Sequence, residues 1–364
     1  AHALKTSSYV EQYQGQTQAD IHRKNEIEFL SQELQHDWSI NTSHLLTHGL
    51  AYELSELKQT RNDQSELQVN RPRRESVEGF MQWDAMLSPS VEVVSGVRIE
   101  HNSAYGGHIS PKISAMFSHQ LLEKKTNNAI EGRLRLSLGN GYRTPNLKES
   151  YFLFDHSNLG YKVVGNPNLE PESSWSAQAS YQLFSRGWEA NAAIFYHDIN
   201  DLIVTELSER QDGIAIYSYQ NIDQAQTYGV ELSGQLQLNT QMGLNASYTS
   251  LQSKNINTGK TLVNRPEHVI KAGIELGFFN QQTQLSLLGT YQSKEYLDSE
   301  NSKTSPGFAV FDIKLNQKIS SMLNFYAGLD NAFDEHRSPK RAALEGDQRP
   351  VPGRTYYAGL SATF

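Results

Sequence analysis

Along the whole chain, apolar and polar residues alternate in steps of two, the period of a β-strand whose two faces meet different surroundings. Across residues 268–278, Ile270, Ala272, Ile274, Leu276 and Phe278 share one face, and Lys271, Gly273 and Glu275 the other. Phe311, Ile313 and Leu315 alternate with Asp312, Lys314 and Asn316. Val230, Leu232, Leu236 and Leu238 alternate with Glu231, Ser233, Gln235 and Gln237, and Trp175, Ala177, Ala179, Tyr181 and Leu183 form another such face. About sixteen segments of this kind, each long enough for a tilted strand to cross a bilayer, are predicted. They lie at 5–14, 28–38, 43–56, 74–88, 90–100, 109–121, 128–140, 172–184, 188–206, 214–238, 241–252, 266–279, 282–293, 307–319, 322–330 and 354–364. A soluble β-sandwich or propeller would alternate as well, with its apolar face turned inward, so periodicity alone does not say which face is wet.

The connections also alternate. Tight turns at Ser88-Pro89, Ser185-Arg186-Gly187, Asn239-Thr240, Asn280-Gln281 and Ser320-Ser321 take turns with long polar stretches at 57–73, 141–171, 253–265, 294–306 and 331–353. Short turns at one end and long loops at the other are the arrangement of an outer-membrane barrel, whose long loops face outside.

Composition narrows the choice. The chain has 364 residues with 18 Tyr, 14 Phe and 4 Trp, and no run approaches the roughly 18 apolar residues of a membrane helix. Cysteine is absent, which removes disulfides, thiolate metal sites and cysteine nucleophiles together. A formal charge of −8 argues against a nucleic-acid partner, which would need concentrated Lys and Arg. Residues 1–10 lack the basic-then-apolar order of a signal peptide, so the chain is expected to be mature or to begin partway through a longer protein.

The ending decides for a membrane barrel. Tyr356, Ala358, Leu360, Ala362 and Phe364 make one apolar face that finishes on an aromatic, and this resembles the last strand of outer-membrane barrels. Tyr181, Tyr248, Tyr291 and Phe278 stand near strand ends, where aromatic girdles form. The expected fold is therefore all-β, a transmembrane antiparallel β-barrel in the bacterial outer membrane, with lipid and lipopolysaccharide around it.

The segment from Gly141 to Pro171 is framed by Pro and Gly, which stop the strands on both sides and predict a stiff, structured loop. It opens with Gly141-Tyr142-Arg143-Thr144-Pro145-Asn146-Leu147 and closes with Gly165-Asn166-Pro167-Asn168-Leu169. Later come Phe195-Tyr196-His197-Asp198-Ile199-Asn200-Asp201, and Asn221-Ile222-Asp223-Gln224-Ala225 running on to Gly229-Val230-Glu231. Arg265-Pro266-Glu267-His268, Asp330-Asn331-Ala332-Phe333-Asp334 and Pro352-Gly353-Arg354 follow. In this order the series resembles the barrel of TonB-dependent outer-membrane receptors, from about residue 110 to the end.

The resemblance implies a 22-stranded barrel closed by an N-terminal plug, of which about sixteen strands are present here. Residues 1–364 would then be the C-terminal part of the barrel, without the TonB box, plug domain and first strands, and the TonB complex would engage through that absent N-terminal region. A complete sixteen-stranded passive porin is the structural alternative. The resemblance further implies uptake of a ferric siderophore or similar iron chelate, bound by the extracellular loops.

Arg143, Arg265 and Arg337, with Lys162, Lys340 and Arg341, fall in the predicted outer loops, where cations could meet an anionic chelate. Tyr151 and Tyr161, with Tyr142 and Phe152, offer stacking surface. Haem is the alternative ligand. Haem receptors of the family carry a histidine between the two loop motifs, and His156 stands there, an axial ligand if the cargo is haem. His44 and His48, four apart in a strand, share a face and read as structural. No zinc-protease, serine-hydrolase or phosphate-loop motif occurs, so neither an enzyme nor a resident cofactor or metal is expected.

Overall fold

The computed structural model describes residues 2–11, 21–122, 129–336 and 352–363. Twenty-one strands occur among them, and sixteen are long. These are β1 (His2–Glu11), β2 (Ile21–Asn41), β3 (His44–Arg61), β5 (Arg73–Ser88), β6 (Val91–Asn102), β7 (Gly106–Leu122), β8 (Ile130–Arg143) and β11 (Glu172–Ser185). The rest are β12 (Trp188–Gln211), β13 (Ile214–Asn239), β14 (Met242–Asn255), β15 (His268–Phe278), β16 (Thr283–Gln292), β19 (Phe308–Lys318), β20 (Leu323–Asp330) and β21 (Thr355–Ala362). Each answers to one of the sixteen predicted segments.

The differences lie at the ends. β2 starts at Ile21 rather than near 28, and β3 runs on to Arg61, into what had been expected as loop from 57. Both extensions are rich in Glu, Lys, Gln and Arg, so the apolar alternation fades while the backbone pairing continues, with Arg23 opposite Arg61 and Ile27 opposite Leu57. Five short strands also escaped the period-two reading: β4 (Gln64–Ser65), β9 (Leu153–His156), β10 (Tyr161–Val164), β17 (Glu295–Tyr296) and β18 (Thr304–Ser305). Two to four residues are too few to show a period.

The chain divides into two compact units. In the first, β1, β2, β3, β5 and β6 form an antiparallel meander. Its hairpin turn beyond β3 has Asn62 and Asp63 at φ of 49° and 64°, the left-handed pair that a tight primed turn needs. In the second unit, β14, β15, β16, β19, β20 and β21 make an antiparallel meander as well.

The alternating apolar face points outward. Leu34, Leu50, Val77, Met81 and Ile99 are exposed in the first unit, and Ile270, Ile274, Phe311 and Leu360 in the second, with Leu360 at 65 %. A dry sandwich would have buried these positions. The opposite face is polar: Glu189 accepts from Gln182 at 2.6 Å and from Gln235 at 3.0 Å. No described helix is long and apolar enough to cross a membrane. The buried apolar core is correspondingly small and sits beneath a loop. Leu57, Leu67 and Leu147 pack together, with Ile27, Tyr151 and Phe152 against them, each buried leucine contributing about 1.5–3 kcal/mol.

Candidate ligand-binding site

The loop between β8 and β11 is folded throughout. Its first element is a single helical turn, α1 (Leu147–Tyr151). Asn146 caps it, accepting from the amides of Lys148 and Glu149 at 2.9 Å each, while Glu149 reaches back to the Asn146 amide at 2.7 Å. This reciprocal capping satisfies two otherwise orphaned donors. Arg74 of β5 anchors the turn from below, donating to the Pro145 carbonyl, to Ser150 Oγ at 3.4 Å and to Tyr105 at 3.3 Å.

Arg143, the first predicted contact, is committed to this scaffold. Its guanidinium donates to Glu172 at 2.6 and 2.8 Å and to Glu149 at 2.9 and 3.1 Å. The hydrogen bonds it donates to Glu172, and then those to Glu149, raise its pKa above the ordinary arginine value. It joins the end of β8, the helical turn and the start of β11 in one clamp.

The second motif closes the loop. The Gly165 amide donates to the Phe152 carbonyl at 2.6 Å, and the Asn166 amide to the Glu149 carbonyl at 2.8 Å. A Cβ on Gly165 would stand 2.5 Å from the Phe152 nitrogen and 2.7 Å from that of Tyr151, so a side chain has no room. Asn166 holds the Tyr219 carbonyl of β13 at 3.0 Å, and Asn221 of β13 donates to the carbonyls of Glu170 and Asp201 at 3.0 and 2.6 Å. The motif asparagines are therefore stitches between loop and wall.

Between the motifs, β9 and β10 form a hairpin with His156 opposite Tyr161 and Asp155 opposite Lys162. β10 then pairs in parallel with β13, Tyr161 beside Ala215. His156, the last residue of β9, is buried. Its Nε2 lies 2.5 Å from a terminal nitrogen of Arg23, and its Nδ1 lies 2.8 Å from the Tyr161 hydroxyl. Arg23, 2 % exposed, also donates to the Asp155 carbonyl at 2.8 Å and to both oxygens of Glu66 at 2.9 and 3.0 Å. Glu66 takes a further bond from Gln59 at 3.2 Å. The Arg23 guanidinium lies 4.6 Å over the Phe154 ring, which tilts against His156 at 4.1 Å.

Asp155 turns outward to Lys162 at 3.2 Å. Burial pushes its pKa up, but bonds from the Ser157 hydroxyl and amide and from Lys162 outweigh that and bring it down to about 2.

The structure thus gathers Arg143, Tyr151, His156 and Tyr161 in the first unit. Arg265 lies in the second, half-buried after Asn264, whose φ is 58°. Arg337, Lys340 and Arg341 fall outside the described residues. Sequence reasoning missed Arg23, Glu66 and Arg74, the buried charges that hold the loop. The available signal was weak: Arg23 and Arg74 belong to basic runs at 22–24 and 73–74 that look like solvated strand ends.

The sequence profile of the family described as "TonB dependent receptor-like, beta-barrel" matches residues 3–332. The chain belongs to the TonB-dependent receptor family. This is a family of transport receptors of the bacterial outer membrane, not of enzymes. The ferric enterobactin receptor of Pseudomonas aeruginosa is 26 % identical over 330 residues, which cover 78 % of this chain and 42 % of that protein. The iron-regulated outer membrane virulence protein of Vibrio cholerae is 24 % identical over 301 residues, covering 79 % and 44 %. A crystal structure of a variant of the Pseudomonas aeruginosa ferric enterobactin receptor superposes with a TM-score of 0.72 at 20 % identity, over 95 % of this chain and 54 % of that one. The chain spans less than half the length of these two curated relatives.

Proposed function

We propose that this chain is the C-terminal wall and loop region of a TonB-dependent receptor that takes up a ferric siderophore. The observation that carries the reading is the family match over residues 3–332, alongside relatives named as ferric enterobactin receptors. Residues 1–364 then supply barrel strands and outer loops. The remaining strands, the plug and the segment that contacts the TonB complex belong to the N-terminal part of the intact protein. In this reading energy coupling belongs to that part of the intact protein.

The loop chemistry fits this role. Tyr161 and Lys162 belong to the hairpin and offer a ring and an ammonium group, the latter shared with Asp155, to an anionic aromatic chelate. Arg143 serves as the clamp that holds the loop beneath them, and His156 as part of its buried support. Haem uptake through His156 is disfavoured on a specific ground: both ring nitrogens already face partners, Arg23 and Tyr161. A passive porin is disfavoured by the family match.

The test uses the intact receptor. Ferric enterobactin should quench its tryptophan emission saturably and support growth of an iron-starved host through this receptor alone. Saturable binding of haem with no response to any ferric siderophore would overturn the reading.

A further inference from the structure

The outward face of β2, β3, β5 and β6 carries an anomaly. Cross-strand register sets its residues in rows. Near the short turns at 42–43 and 89–90 runs Trp38, Leu46 and Trp83. One step further along the strands come His36, His48 and Met81, and the next row is Leu34, Leu50, Gly79 and Ile99. Two imidazoles therefore sit inside an exposed apolar band that, in this family, faces lipid.

The rings of His36 and His48 touch edge to face, with centroids 5.1 Å apart and planes at 74°. Neither ring has a hydrogen bond to another described residue. A neutral imidazole carries one N–H donor and one acceptor nitrogen, and leaving both unmet against hydrocarbon is costly. An ionisable group placed there calls for a partner.

Above the pair the surface opens into an apolar groove of about 550 Å³, lined by Leu34, Leu50, Gly79 and Ile99 with the two rings at its end. Gly79 forms its floor. A Cβ there would lie 3.6 Å from Leu50 Cδ2, an ordinary contact, so packing does not require glycine and the notch is simply left open. The volume is that of a small-ligand pocket.

We propose that this groove binds one glycerophospholipid of the periplasmic leaflet, an acyl chain lying in the Gly79 notch and the His36–His48 pair donating to the ester or phosphate oxygens. The groove is continuous with the lipid-facing surface, which sets the class of occupant. Its depth sets the leaflet. Tryptophan rings collect at the headgroup level, and the short turns are the periplasmic end of such barrels. The histidine row stands about 5 Å above the tryptophan row for a strand tilted near 40°, just where ester oxygens, acceptors without donors, begin to meet hydrocarbon.

The experiment uses the intact receptor, purified in dodecyl maltoside, delipidated and titrated with dioleoyl phosphatidylglycerol, with bound lipid counted by native mass spectrometry. Folding is checked by the migration of unheated samples on gels. Wild type should retain one lipid per chain. His36→Ala/His48→Ala should lower retention at least tenfold, and Gly79→Leu, which fills the notch and leaves both rings, should do the same. Ile274→Ala, on the second unit's outward face, should change nothing. Equal retention by wild type and both groove variants would mean annular lipid only and would overturn the proposal. So would a dimer of wild type that Gly79→Leu dissociates without any change in lipid, since the occupant would then be a second copy of the chain.

Discussion

Arg23 and His156, 133 positions apart in the chain, meet at 2.5 Å. An arginine can only donate, so the facing Nε2 accepts and the ring proton sits on Nδ1, directed to the Tyr161 hydroxyl. The histidine is thereby fixed in one neutral tautomer by a strand on one side and its own hairpin on the other. Glu66 neutralises the buried guanidinium.

The first prediction concerns that neutralisation. Arg23→Met leaves Glu66 buried without its cation, and loss of one partner of a buried pair costs about 3–5 kcal/mol. Removing both charges, as Arg23→Met with Glu66→Leu, should restore much of this. Hydrogen exchange of residues 153–164 reads the effect locally: fast in the single variant, slow again in the double. Equal protection in all three proteins would show that the pair does not hold the hairpin.

The second concerns haem. Because both imidazole nitrogens are engaged, haem added to the intact receptor should give no Soret shift that depends on His156. His156→Ala should loosen the hairpin yet leave the haem spectrum as it is in wild type. A shift present in wild type and lost in His156→Ala would show that the ring can leave Arg23 to bind iron.

These two expectations mark where the sequence stopped being legible. The sixteen long strands could be read because each has one face toward lipid and one toward water, and a period of two survives over ten residues. The motifs at Arg143 and Asn166 could be read as a stiff loop from Pro and Gly alone. What Arg143 does could not, because its partners Glu149 and Glu172 lie on different elements and look like ordinary surface carboxylates. His156 drew notice for its position between motifs, but its burial follows from Arg23, far away in the chain. Long-range pairing of charges leaves no local pattern, so the loop's support became visible only in three dimensions.

The third prediction follows from the depressed pKa of Asp155. A carboxylate whose pKa falls to about 2 on folding binds protons more readily when unfolded. Its contribution to hairpin stability is therefore complete above the unfolded value, roughly 4. It fades as pH falls from there through about 2. Amide exchange at Ser157, corrected for intrinsic rate, should be level between pH 7 and 5 and rise below 4. Asp155→Asn should remove that rise; if the rise persists in the variant, another group is responsible.

The fourth tests the close approach at Gly165. A Cβ there would meet backbone atoms of Tyr151 and Phe152, which cannot swing aside as a side-chain tip could. Gly165→Ala should break the amide bonds from Gly165 and Asn166, raising proteolysis between 147 and 169 while the unheated gel migration of the barrel stays unchanged. Wild-type resistance to protease would show that the loop has slack here.

The last prediction concerns β20 and β21, where two tyrosines and two glycines interlock. Tyr326 is paired with Gly359 and Tyr357 with Gly328, and each ring occupies the place where a Cβ of the facing glycine would stand. Such covering of a strand glycine by a cross-strand ring pins register, because a slip of one residue would turn each ring to the other face. Gly359→Ala should crowd the ring and cost about 1–3 kcal/mol. Tyr326→Ala removes the cover and should also destabilise, but after it Gly359→Ala should cost little, since the space is then empty. Urea unfolding of the four proteins closes the cycle, and the expected coupling is about 1–3 kcal/mol, the cost of Gly359→Ala that disappears once the ring is gone. Strict additivity would mean that ring and glycine are neighbours by register alone, and that the pairing of the last two strands is fixed elsewhere.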